Sequence, residues 1–124
     1  MNTILDFVAI GMGGALGAIG RYAMSLVNIR HRGGFPLTTL LVNVIGAFLI
    51  GFIAAYAGKH AKLDPRVILF LQVGLCGGFT TFSSFALETF RLMQVGHIPV
   101  AALYAGLSVM LCVFASAVPQ FILK

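Results

Sequence analysis

Four long apolar runs, from Ile4 to Val27, Thr38 to Ala57, Val67 to Phe90 and Val100 to Leu123, take up most of this 124-residue chain. A helix of roughly 20 apolar residues matches the hydrocarbon thickness of a bilayer. In hydrocarbon each span must satisfy its own backbone hydrogen bonds, so four such runs predict an all-α membrane protein with four transmembrane helices. The composition agrees, because 60% hydrophobic and 9% charged residues leave too little polar surface to coat a soluble domain of this length. Short connections predict a single domain over residues 1–124. The first run is too long, and its flanks too poor in basic residues, for a cleavable signal peptide. Cys76 and Cys112 both fall inside runs, where packing rather than a disulfide is the expected role.

Lys and Arg near span ends set membrane orientation. With four spans both termini share one side, and that side carries Lys59, Lys62, Arg66 and Lys124. The other side carries Arg21, Arg30, Arg32 and Arg91, so the two sides are level. A chain without this bias has no electrostatic reason to choose an orientation, and the expectation is insertion both ways and assembly as an antiparallel, dual-topology homodimer. The same split removes the net charge of +5 as a nucleic-acid signal, which would need the basic groups clustered on one face.

Gly77-Gly78-Phe79-Thr80-Thr81-Phe82-Ser83-Ser84-Phe85 interrupts the third run where a bilayer would be driest. A helix break at membrane depth survives only when it is buried in protein or lines a cavity or ion site. Beyond the glycines, Thr81, Ser84 and Glu88 are spaced to line one helical face, with Phe82 and Phe85 on its neighbour. In the second run Thr39 and Asn43 share a face that Gly46 extends, and in the fourth Tyr104, Ser108 and Cys112 recur every four residues. Gly13 and Gly17 form a small-xxx-small pair for close helix contact, and Arg21 continues their face. Arg21 either snorkels to the headgroups or serves an anion-attracting or structural role at a vestibule.

These groups leave two ion chemistries open. Hydroxyls, an amide and the electropositive rims of phenyl rings suit a small anion, whereas carbonyls freed by a break suit a hard cation. No catalytic constellation is present: His31, His60 and His97 are widely separated in or near loops, and Asp6, Asp64 and Glu88 form no pair in sequence.

In Gly13-Gly14-Ala15-Leu16-Gly17-Ala18-Ile19-Gly20-Arg21-Tyr22, in Thr39-Leu40-Leu41-Val42-Asn43-Val44-Ile45-Gly46, and above all in Gly74-Leu75-Cys76 followed by the break segment through Phe85, the chain resembles the small fluoride channels called Fluc or CrcB. The resemblance covers essentially the whole length. It implies passive export of cytoplasmic fluoride through two pores in an antiparallel homodimer of the bacterial inner membrane, with a structural sodium ion at the dimer centre. It further implies that the backbone carbonyls of Gly77 and Thr80 hold the sodium, that Phe82 and Phe85 face fluoride through their ring edges, and that Asn43 is the pore amide. Tyr104 and Ser108 would form a polar track, and Ser84 with Glu88 a vestibule. Cys112 stands where related chains can carry serine, and Ser84 where threonine is common. The rival reading, a small multidrug-type transporter exchanging protons for lipophilic cations, needs a membrane-embedded carboxylate in the first helix, where Asp6 sits near the end. A third, a scaffolding membrane subunit, has no need of the hydroxyl and phenyl stripes.

Overall fold

A computed structural model describes residues 2–27 and 34–124. Arg30 and Arg32, counted in the charge balance, and His31 lie outside the described residues. The rest is all-helical: α1 (Thr3–Ser25), α2 (Leu37–Lys59), a third span assembled from several pieces, and α6 (Ile98–Ile122). The third span comprises α3 (Pro65–Ile68), a π-helical segment (Leu69–Cys76), α4 (Gly77–Phe79) and α5 (Phe82–Gln94). The four helical stretches are each long and apolar enough to cross a membrane, the third running from Pro65 to Gln94. The predicted spans therefore stand, with ends displaced by one to four residues: the helices start one or two residues earlier, α2 and the third span also run on past their apolar runs, and α1 and α6 stop one or two residues short.

Local chemistry accounts for several starts. The Asn2 Oδ1 accepts the N–H groups of Ile4 (3.1 Å) and Leu5 (3.4 Å), Asp64 accepts that of Arg66 (2.9 Å), and Thr81 Oγ1 accepts that of Ser84 (3.0 Å). Each side chain satisfies an N–H that the first helical turn leaves without an internal partner. Pro65 and Pro99 stand in the first turns of α3 and α6, where a missing N–H costs nothing.

Two pairings arrange the spans. α1 lies along the π-helical segment and α4, while α2 lies along α6 and α5 packs on α6. The first pairing is backbone against backbone. A Cβ on Gly13 would overlap Phe70 O, one on Gly17 would overlap Leu75 O and Phe79 N, and one on Gly78 would meet Gly14 O at 2.5 Å. The small-xxx-small pair predicted from Gly13 and Gly17 thus has a counterpart in Gly74 and Gly78, and the two spans run in parallel at van der Waals distance. An ion pair between Arg66 Nε and Asp6 Oδ1 (3.0 Å) ties the starts of the same two spans together. The second pairing turns on Gly51, where a Cβ would overlap the backbone of Ser116.

The buried apolar core is small, with Leu40, Leu92, Ala101 and Tyr104 forming its centre at the α2–α5–α6 junction. Large apolar side chains such as Phe7, Ile19, Met110 and Phe114 face outward. For a chain solvated by lipid this is the correct partition, since acyl chains are as apolar as leucine.

The α1 contact generates a paired prediction. Gly17→Ala is expected to force the two spans apart at a cost of about 1–3 kcal/mol. Gly14→Ala, whose new Cβ would find Gly74 O at 3.9 Å, is expected to be tolerated. Thermal unfolding of the two variants in detergent, followed by loss of monodisperse protein on gel filtration, separates them.

Candidate ion pathway beside the helix break

Thr80 (φ −79°, ψ 157°) and Thr81 (φ −149°, ψ 111°) are extended, and they separate α4 from α5. α2 holds this break open. Asn43 Nδ2 donates to Thr81 O (3.1 Å) while the Thr81 N–H donates to Asn43 Oδ1 (2.8 Å), so one side chain replaces both hydrogen bonds of a residue withdrawn from the helix. Thr80 folds back locally, its N–H and Oγ1 both donating to Cys76 O (3.0 and 2.9 Å). Gly46 lets the break come this close: a Cβ there would overlap the Thr80 side chain.

The pairing has a consequence for two carbonyls. In a continuous helix Gly77 O would accept from Thr81 N–H, and Thr80 O from Ser84 N–H. The first of these donors is taken by Asn43 and the second by Thr81 Oγ1. Arg21 from α1 caps a further released carbonyl, its Nε donating to Gly78 O at 3.3 Å. Arg21 is half-buried and lies against the break, which favours the structural or vestibule role over snorkelling.

Three cavities follow one another toward the break. The outermost, about 490 Å³, opens between the start of α2, the end of α5 and the start of α6, and its wall includes Arg91, His97, Thr39 and Glu88. Thr39 and Glu88 also border a smaller cavity of about 160 Å³ with Arg21, Ser25, Thr81 and Ser84. Thr81 in turn borders the innermost, about 450 Å³, together with Asn43, Thr80, Phe82, Phe85 and Ser108. Neighbouring cavities therefore share wall residues. Arg91 borders the first of these cavities and Arg21 the second, while phenyl rings and hydroxyl-bearing residues border the third.

Most sequence-predicted site residues meet along this route, in two groups. Phe82 and Phe85 touch with ring centroids 5.4 Å apart, tilted by 48°. Ser84 and Glu88 line the vestibule with Thr81, although Thr81 caps α5 rather than belonging to it. Glu88 is fully engaged: Oε1 accepts from Thr39 Oγ1 (2.7 Å) and Oε2 from the Tyr104 hydroxyl (2.8 Å). Tyr104 is wholly buried and borders none of the three cavities, so its hydroxyl orients the Glu88 carboxylate. Ser108, in contrast, is buried at the cavity wall and its Oγ has no partner among the described residues. Gly77 and Thr80 also border the innermost cavity, and Gly77 is exposed on the outer surface of the chain.

Sequence reasoning missed Cys76 and Arg91 as wall residues, and Thr39 and Tyr104 as the two donors to one carboxylate. A signal existed for the second pair, since Thr39, Glu88 and Tyr104 are the polar groups of three different spans at similar depth. Nothing in a single sequence marked Cys76.

The chain matches the family model described as CrcB-like protein, Camphor Resistance (CrcB), over residues 8–119. A protein of Ruminiclostridium cellulolyticum named fluoride-specific ion channel FluC is 38% identical over 125 aligned residues, covering 100% of this chain and 96% of the relative. Proteins of the same name from Shewanella halifaxensis and Azobacteroides pseudotrichonymphae are 44% and 45% identical, covering 92% and 77% of this chain and 90% and 77% of the relatives.

Stability should report the break's dependence on α2. Asn43→Ala leaves Thr81 N–H and C=O without partners and is expected to cost about 1–3 kcal/mol. Ser108→Ala removes a hydroxyl with no protein partner and is expected to stay within about 0.5 kcal/mol of the parent. Thermal melts of both variants in one detergent check the contrast.

Proposed function

The chain belongs to the CrcB family, and we propose that it is a passive, fluoride-selective channel of the bacterial inner membrane, working as an antiparallel homodimer. The observation that carries this reading is the cavity series, which leads from Arg21 and Arg91 to the phenyl and hydroxyl wall at the break. The names of the full-length relatives point the same way.

Fluoride is small and strongly hydrated, so a dry passage must replace its water with several donors at once. Asn43 has one amide hydrogen committed to Thr81 O and a second free for the cavity. Ser108 Oγ is buried and has no partner among the described residues, so a small local shift would bring its O–H to the cavity as a further donor. Phe82 and Phe85 add the positive edges of their rings, which attract an anion without binding it so tightly that it stays. The Glu88 carboxylate would repel an anion, but its oxygens are occupied by two hydroxyls and it sits in a wall also bearing Arg21. With an inside-negative potential, each departing anion gains about 2.3 kcal/mol per 100 mV, and no coupled pump is needed.

Dimerisation is supported by what one chain leaves uncovered at membrane depth. Gly77 is exposed beside the break, and Phe82 is 79% exposed. Lipid cannot satisfy a freed carbonyl, and a second copy facing this surface would cover it. Equal basic charge on both sides favours the antiparallel arrangement. The carbonyls of Gly77 and Thr80 fit a hard cation because each has lost its helical donor, and two copies would double the oxygen set. A sodium ion held there would supply fixed positive charge beside the anion route. The multidrug-type reading is not supported, since Asp6 is paired with Arg66 in the first turn of α1.

In potassium-loaded liposomes with valinomycin, a fluoride electrode is expected to record rapid fluoride release, with little chloride release in a parallel trial. Phe82→Ile is expected to lower fluoride release by about ten-fold or more while the dimer persists on gel filtration. Absent or equal release of both anions would end the channel reading. Replacing sodium with N-methylglucamine throughout purification is expected to lower the melting midpoint of the dimer, and an unchanged midpoint would remove sodium from the proposal.

A further inference from the structure

Phe35 takes no part in the mechanism above, yet its backbone is tightly fixed. Gly34 before it adopts φ +75°, a left-handed conformation that other residues rarely take. Pro36 after it has φ −78° and ψ 71°, and the Leu37 N–H donates to Phe35 O at 2.8 Å, so Pro36 is the centre of an inverse γ-turn at the start of α2. A residue before proline is itself restricted to extended backbone. Gly34 and Pro36 border the outer cavity, whereas Phe35 borders none of the three. It is half-buried and packs against the core instead.

The Phe35 ring meets Tyr104 with centroids 5.4 Å apart and planes at 80°, the edge-to-face geometry that ring quadrupoles favour. Tyr104 meets Phe85 at 5.2 Å and 51°, and Phe85 meets Phe82. Four rings in contact thus run from the connection before α2 to the break, and of these only Phe85 and Phe82 border the innermost cavity. Glu88 holds Tyr104 by its hydroxyl (2.8 Å), and a ring anchored at one end can still tip about that point. Phe35 bears on the ring itself and removes that freedom.

We propose that Phe35 is a positioning residue for the anion route: by holding the Tyr104 ring against Phe85 it fixes the orientation of the phenyl wall, and with it the width of the passage. The proposal rests on the channel reading. A small, strongly hydrated anion is selected by a narrow, dry passage whose donors stand where they can replace its water. A phenyl ring that tips out of place both misdirects its positive edge and admits a larger ion. Loss of Phe35 therefore acts on selectivity, through Tyr104, without removing any group that meets the anion.

The test compares the reconstituted full-length protein with Phe35→Ala, Phe35→Leu and Leu37→Ala. Leu37 packs against the same core but carries no ring, so its truncation loosens the core and leaves the ring series whole. Fluoride and chloride release are each measured above protein-free vesicles and taken as a ratio, which does not depend on how much of the sample is folded. Phe35→Ala is expected to lower the fluoride-to-chloride ratio about ten-fold, and Phe35→Leu, which keeps bulk and folding but no ring, about three-fold. Leu37→Ala is expected to keep the parent ratio. An unchanged ratio in Phe35→Leu, or an equal fall in Leu37→Ala, would overturn the proposal. A second measurement needs no flux: with para-fluorophenylalanine at position 85, the fluorine NMR line is expected to shift and broaden in both Phe35 variants and to stay in place in Leu37→Ala. Absence of fluoride release from the parent would overturn the channel reading instead, and an unmoved line would then overturn the contact from Phe35 to Phe85 as well.

Discussion

Backbone polar groups in hydrocarbon have no water to fall back on, and the rest of this molecule is arranged around the place where that constraint is hardest to meet. Thr80 and Thr81 leave the helical ladder in the middle of the third span. The Thr80 N–H keeps the Cys76 carbonyl, the Thr81 N–H goes to the Asn43 amide oxygen, and the Thr81 hydroxyl accepts the N–H of Ser84 beyond them. Acceptors are recovered less completely, and the shortfall falls on Gly77 O, Phe79 O and Thr80 O, none of which receives its helical donor. The break is therefore richer in unpaired acceptors than in unpaired donors.

The glycines serve this same constraint. Arg21 reaches Gly78 O only because α1 approaches the third span through Gly13 and Gly17, and Asn43 reaches Thr81 because α2 approaches through Gly46. Ordinary side chains at these positions would hold the helices farther apart, leaving the break to lipid. The π-helical turns just before the break belong to the same arrangement. They carry Gly74 against α1 while Cys76 and Gly77 border the cavity.

Much of this was legible in the sequence because apolar length and small-residue spacing act locally. The four spans, the broken third helix and the close face of α1 follow from runs and intervals alone. Asn43 was marked by being an amide in a span that needed none. Depth and partner choice were less legible, since they depend on how spans slide past one another. Tyr104 shares a helical face with Ser108, yet the fold sends the first to a carboxylate in the core and the second to a cavity wall. The same limit hid that Cys76 and Cys112, 36 positions apart in the sequence, border one cavity.

Glu88 shows how one geometry reconciles a conflict of charge. A carboxylate on the wall of an anion route is unfavourable in isolation, and apolar surroundings raise the cost. Here each oxygen accepts a short hydrogen bond from a hydroxyl anchored in a different helix, which disperses the charge and points both oxygens toward the core. Arg21 then faces the same small cavity, and Arg91 the outer one. The carboxylate thereby joins α2, α5 and α6 about two helical turns beyond the break. Removing either hydroxyl would leave a carboxylate oxygen without its donor and loosen that junction, so the polar core holds the helices that flank the break.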